Sequence, residues 1–298
     1  MSLLCRVLAR YGSEIDVLRP DGSVQRVSLR RRFDDVVCGD VVSVDALGPA
    51  VQSREPRRNH LRRRDGFNRP KTIAANIDRV WIVVAPRPAI PRLLIDRFLV
   101  GIRNLPAEAG IIVNKSDLAH PADGTASNLD PDLSAYAHLC LPVFRVSAHT
   151  GLGLESFRTA ASGGSNILVG PSGVGKSSLI QALLPDERLR IAEVGQSGEG
   201  RHTTTTGRWY EAQGGGAWID SPGVRDFSPE IASVEQLVQG FPDLSEHAAA
   251  CRFRDCTHRS EPGCAVRGAV DQGVLPVARL ESWRELLETL VADGRDRG

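Results

Sequence analysis

Gly170, Pro171, Ser172, Gly173, Val174, Gly175, Lys176 and Ser177 spell GxxxxGK[ST] between the apolar run Ile167–Val169 and a helical stretch that opens with Ser178, Leu179 and Ile180. This spacing suits phosphate binding. Glycines let successive backbone N–H groups turn onto phosphate oxygens, and a following helix N-terminus adds partial positive charge. Lys176 would reach the β- and γ-phosphates of a nucleotide, and Ser177 would ligate Mg²⁺.

The base is addressed elsewhere. Asn114, Lys115, Ser116 and Asp117 end the apolar stretch Gly110–Val113. This NKxD resembles the base-specificity element of translation-factor-type GTPases. A carboxylate at Asp117 can accept from guanine N1–H and N2–H₂ together, whereas adenine offers no such donor pair. A missed match would leave a buried charge unpaired. Lys115 would lay its stem along the base and Asn114 would brace the loop. Ser147 and Ala148, closing a later strand, resemble the element whose backbone N–H meets guanine O6.

Two further segments read as switches. His202 precedes Thr203–Thr206, and Asp220-Ser-Pro-Gly223 is a DxxG element. Asp220 would stand near Mg²⁺, and the Gly223 N–H would meet the γ-phosphate. One threonine of 203–205, with Thr204 preferred, would ligate Mg²⁺. The residue after DxxG is Val224, which cannot orient a water as a glutamine does. His202 is the candidate for that task.

Cys251, Cys256, His258 and Cys264 lie within 14 residues and form a closed Cys₃His set suited to structural Zn²⁺. Cys5, Cys38 and Cys140 are scattered and read as small buried hydrophobes. His247 reads as incidental.

These residues need elements to place them. Residues 3–53 read as five short strands, a small OB-like barrel, though an SH3-like barrel would look similar. The stretch 54–71 carries seven arginines and a lysine against Glu55 and Asp65. Val80–Ala85, Gly110–Val113, Phe144–Val146, Asn166–Val169 and Ala217–Ile219 are apolar runs alternating with helical patterns, as in a doubly wound sheet. A final helix around 278–292 has Leu280, Trp283, Leu287 and Leu290 at helical spacing. The boundaries expected are 1–57 for the OB-like barrel, 58–71 for a basic linker, 72–228 for an α/β P-loop domain and 229–298 for a mostly helical zinc-binding domain.

Composition is that of an ordinary globular chain: 298 residues, 41% hydrophobic, net charge +1. No run is long and apolar enough for a membrane span, and the N-terminus lacks a secretory core, so cytoplasm and a monomer are the defaults. Only three basic residues are lysines, Lys71, Lys115 and Lys176, and two of them fall inside the nucleotide motifs. That suits chemistry needing a compact ammonium rather than a planar fork.

Motif order discriminates further. In conventional GTPases the phosphate loop comes first and the base motifs last; here 114–117 and 147–148 precede 170–177. Together these motifs, the segment Ile73–Asp78 and the Cys251–Cys264 cluster resemble the circularly permuted, ribosome-small-subunit-dependent GTPases, the RsgA (YjeQ or EngC) family, over essentially the whole chain. The resemblance implies GTP hydrolysis to GDP stimulated by the 30S subunit during its late maturation, with contact to 16S rRNA. The arginine stretch, Arg30–Arg32 and Arg252, Arg254, Arg259 and Arg267 would serve that contact. Because DxxG leads into the C-terminal unit, a γ-phosphate could reposition that unit. Two rival readings are a P-loop ATPase or small-molecule kinase, opposed by NKSD, and a nucleotide-gated RNA-binding module without turnover, encouraged by Val224.

Overall fold

A computed structural model describes residues 2–45, 50–64, 69–118, 132–184, 207–212, 215–221 and 229–295. Five strands open the chain: β1 (Ser2–Tyr11), β2 (Glu14–Leu18), β3 (Val24–Ser28), β4 (Val41–Asp45) and β5 (Val51–Arg54). β1 pairs with both β2 and β4, β2 pairs with β3, and β4 pairs with β5. A parallel bridge from Ser28 to Ala50 brings the last strand back to the third, so the five form a ring. Alternate residues fill its interior, including Cys5 and Val7, Ile15 and Val17, and Val42 and Val44.

The basic stretch expected to be a linker folds instead as a hairpin of β6 (His60–Arg64) and β7 (Pro70–Ala75). Its fixing points are ionic. Asp40, fully buried, accepts from Arg57 at 2.7 and 2.8 Å, and Arg58 donates to Asp78 at 2.6 Å. Sequence reading missed these pairs because the acids lie 17 and 20 positions from their partners.

The central sheet follows: β8 (Arg79–Val84), β9 (Glu108–Val113), β10 (Val143–Arg145), β11 (Ser165–Val169), β12 (Arg208–Glu211) and β13 (Ala217–Asp220). Their order is β10-β9-β8-β11-β13-β12, parallel except for β12. Strand β8 explains the apolar runs. Val80, Ile82 and Val84 enter one core and Trp81 and Val83 the other, so both faces are covered. Helix α1 (Arg92–Arg103) covers the first face with Ile95, Phe98, Leu99 and Ile102. Helices α2 (Leu154–Ala160) and α3 (Lys176–Leu183) cover the second with Phe157, Leu179 and Ile180. Strand β12 joins β1 through Ala9 and Arg208, so barrel and central domain share one sheet.

Four more helices follow among the described residues: α4 (Val234–Gly240), α5 (Pro242–Ala248), α6 (Ala265–Asp271) and α7 (Val277–Arg295). They share a core around Leu237, Phe241, Trp283 and Leu286, and Val100 of α1 enters it. Contact with α1 is close: a Cβ on Gly240 would lie 2.4 Å from the Val100 side chain.

Arg279 of α7, 1% exposed, fixes this junction. It donates to both carboxylate oxygens of Asp243, at 2.8 and 3.0 Å, and to Asp96 of α1, and it lies 4.2 Å over the Phe241 ring. Burial pushes Asp243 up, but the Arg279 guanidinium prevails and holds it below the usual carboxylate value. At Asp96 burial prevails and the value is raised despite Arg279. The cluster fastens the C-terminal helices to α1, and separating the two would part buried charges. Arg279→Ala should lower unfolding free energy by about 3–5 kcal/mol, since it strands two buried carboxylates. Urea denaturation would measure this, and a loss under about 1 kcal/mol would exclude the cluster as the fastening.

Candidate functional site

The C-terminal ends of β8, β9, β10, β11 and β13 lie side by side, the edge at which open α/β sheets bind ligands. Four of the five carry a piece of the sequence-derived site. β9 runs into Asn114–Asp117, β10 into Ser147–Ala148, β11 into Gly170–Ser177, and β13 ends on Asp220. Motifs dispersed over more than 100 positions are thereby neighbours in space.

The phosphate loop has the backbone its sequence requires. Gly170, Gly173 and Gly175 all take positive φ, at 143°, 85° and 93°. At Gly175 a Cβ would stand 2.3 Å from the Asn114 amide nitrogen, so only glycine fits. The Lys176 ammonium, largely buried, curls over the loop and donates to the Gly170 and Pro171 carbonyls at 2.6 and 2.7 Å. Val174 is buried beneath, and Ser177 and Ser178 open α3.

Asn114 joins the two halves. Its Nδ2 donates to the Val174 carbonyl at 2.9 Å, and its Oδ1 accepts from the Ala148 N–H at 3.2 Å. Lys115, at φ 58°, extends alongside and donates to the Gly173 carbonyl at 2.7 Å and the Arg87 carbonyl at 2.9 Å. Ser116 is buried and caps the strand by donating to the Val113 carbonyl at 2.9 Å. Ser147, fully buried, receives the N–H groups of His149 and Thr150 on its hydroxyl. The Arg87 wall carried no motif; the only hint was that β8 ends between β9 and β11.

Asp117 differs from its neighbours. Its Oδ1 is buried and has no hydrogen-bond partner among the described residues. A carboxylate oxygen held so is an acceptor waiting for a donor, and guanine's N1–H and N2–H₂ fit it. The glycine backbone likewise fits phosphate, and a serine hydroxyl with an aspartate, Ser177 and Asp220, is a donor set suited to Mg²⁺. His202, Thr203–Thr206, Gly223 and Val224 lie outside the described residues.

A second centre sits in the C-terminal unit. The ligand atoms of Cys251, Cys256, His258 and Cys264 all lie within 4.8 Å of one another. His258 Nδ1 is 3.7 Å from Cys251 Sγ and 3.4 Å from Cys264 Sγ, and those sulfurs are 4.0 Å apart. Tetrahedral zinc with ligand bonds of 2.0–2.3 Å implies edges of about 3.5–3.8 Å, so the set fits. Burial pushes the Cys251 thiol up, but the Val266 and Ala265 N–H groups and the adjoining thiols bring it below the ordinary value. Glu261 closes the turn, accepting from the Thr257 hydroxyl and the N–H groups of Thr257, Arg259 and Ser260, which holds its carboxyl down at about 2. His258 sits at φ 60°, and Arg284 of α7 donates to its carbonyl.

A P-loop GTPase whose base-recognition strands precede its phosphate loop is the class that this fold and site define. Within that class the chain belongs to the RsgA GTPase family, whose sequence pattern matches residues 54–230, and it is accordingly a GTP hydrolase. A Sodalis glossinidius protein named small ribosomal subunit biogenesis GTPase RsgA is 38% identical over 294 residues, covering 95% of this chain and 85% of that protein. A Pseudomonas aeruginosa protein of the same name is 39% identical over 290 residues, covering 96% and 85%. Among solved structures, YjeQ from Thermotoga maritima matches with TM-score 0.74 and 27% identity, over 98% of this chain and 99% of that one. YloQ, described as a circularly permuted GTPase, matches with TM-score 0.71 and 22% identity, over 100% and 96%.

The metal centre makes a direct test. Elemental analysis of purified protein should find one zinc per chain. A strong chelator should lower the melting temperature, because metal binding is folding free energy for so small a core. Metal-free protein with an unchanged melting curve would remove the centre from the account.

Proposed function

We propose that this chain hydrolyses GTP to GDP and phosphate during late maturation of the small ribosomal subunit, stimulated by the 30S particle and in contact with its 16S rRNA. The observation that carries the nucleotide half is the buried Asp117 Oδ1, which has no hydrogen-bond partner among the described residues, on a loop that Asn114 and Lys115 fasten to the phosphate loop. The ribosomal half rests on the names of the relatives.

In this reading Asp117 accepts from the guanine edge, and Lys115 lies along the base. The N–H groups of Gly170–Ser177 and the Lys176 ammonium hold the phosphates, and Ser178 opens the helix behind them. Ser177, Asp220 and a threonine, Thr204 preferred, would hold Mg²⁺, which supplies positive charge to the β- and γ-phosphate oxygens when bound. The Gly223 N–H would meet the γ-phosphate. His202 positions the water, a task Val224 cannot perform.

The domain assignment follows the same support. The strand ring β1-β2-β3-β5-β4, with its parallel third-to-fifth contact, favours an OB-like barrel over an SH3-like one. Zinc is the metal at the Cys₃His centre. The contact with RNA falls to fewer arginines than the sequence offers. Arg54, Arg57 and Arg58 pair with Asp35, Asp40 and Asp78, and Arg259 pairs with Glu288. Exposed Arg30–Arg32, Arg62, Lys71, Arg252 and Arg254 remain candidates. A cytoplasmic monomer is the simplest setting; no described helix is long and apolar enough to cross a membrane.

The decisive measurement is GTP and ATP turnover with and without purified 30S subunits. GTP turnover should rise on adding subunits and ATP turnover should stay at background. Turnover indifferent to 30S would end the ribosomal reading. Asp117→Ala should weaken GDP binding by more than about 100-fold by calorimetry, because the guanine donors lose their acceptor. His202→Ala should bind GTP normally yet lose the subunit-stimulated rate; a retained rate would reassign the water.

A further inference from the structure

Three parts of the chain meet at one buried thiol. Cys38 leaves the barrel between its third and fourth strands and is 3% exposed. Its Sγ donates to the Gly207 carbonyl and lies 3.4 Å from the Leu8 carbonyl of β1. Burial pushes the thiol up to about 12, so it stays protonated and donates. The Cys38 carbonyl meanwhile accepts from the Ala75 N–H at 3.1 Å, tying the same residue to β7.

Gly207 stands next to the threonine run and directly before β12. It is packed against Ser221, the residue that follows Asp220. A Cβ on Gly207 would be 3.1 Å from the Ser221 hydroxyl and 3.4 Å from Cys38 Sγ. Ser221 is itself buried. One residue on, Arg208 pairs with Ala9 of β1 and donates to the Tyr11 hydroxyl. Gly207 therefore rests on the barrel, and Ser221 rests on Gly207.

We propose that Cys38 is a positioning residue for hydrolysis, through which the N-terminal barrel fixes Gly207 and Ser221 and so sets the alignment of the magnesium-side residues. The proposal rests on the assignment of Asp220 to magnesium and deepens it. The barrel is thereby part of the hydrolytic apparatus. A force applied to the barrel reaches the reacting end of the nucleotide through one hydrogen bond and one strand pair. Phosphoryl transfer depends on alignment, so a small loosening here acts on the rate rather than on nucleotide affinity.

The test uses the full chain and three variants. Cys38→Ala deletes the donor, Cys38→Ser keeps one, and Gly207→Ala presses on Ser221 and the thiol from the other side. Gly207 is only partly buried and has no positive φ, so this variant folds even if the cavity at Cys38→Ala proves damaging. Single-turnover GTP hydrolysis, fluorescent GDP titration and thermal melting are read together. Cys38→Ala and Gly207→Ala should slow hydrolysis about fivefold, the worth of one neutral hydrogen bond, at unchanged GDP affinity, and Cys38→Ser should recover most of the rate. Unchanged rates, or rate and affinity falling in step with melting temperature, would overturn the proposal. Asp220→Asn, run in parallel, reports on the magnesium assignment itself, because it should lose magnesium-dependent turnover whatever happens at Cys38.

Discussion

The amide of Asn114 is the interaction on which the nucleotide site depends. It lies at the end of β9, yet it holds the phosphate loop through the Val174 carbonyl and the β10 loop through the Ala148 N–H. The bond to Val174 spans 60 positions and is buried, so water cannot substitute for it. Base recognition and phosphate recognition are distinct chemistries on separate strands. One side chain with a donor and an acceptor keeps them at the separation a single nucleotide requires.

That dependence explains why the cyclic shift in motif order is tolerated. The working edge of a parallel sheet is set by strand neighbours, and strand neighbours are set by which apolar faces can be covered together. β8, β9 and β11 divide their residues between the same two cores regardless of which comes first along the chain. Bonds such as that from Asn114 are made between strand ends and take no account of the covalent path.

The legible parts of this molecule were those in which a residue's job is local. Gly175 and Lys176 announce a phosphate loop because the turn is built from consecutive residues. β8 announces itself because both faces are covered within six residues. The arginine stretch did not read correctly: half of a hairpin resembles a linker when its partners, Asp40 and Asp78, stand far off in sequence. Asp96 was invisible for a related reason. A lone acid in an amphipathic helix reads as solvated until Arg279 is seen against it. Cys38 passed for a small hydrophobe because burial and hydrogen bonding leave the same trace in composition. β12 was missed because four residues with little alternation carry no periodic signal.

The Arg279 cluster also bears on how the chain is made. Asp96 precedes its partner by 183 positions. On a growing polypeptide the α1 helix emerges long before the cation that neutralises it. Until then the carboxylate must stay wet, and α1 cannot present the surface that later receives Val100's neighbours from the C-terminal helices. Docking of α1 against those helices is therefore a late event in biosynthesis, and the central sheet has to hold its shape while one flank is still open.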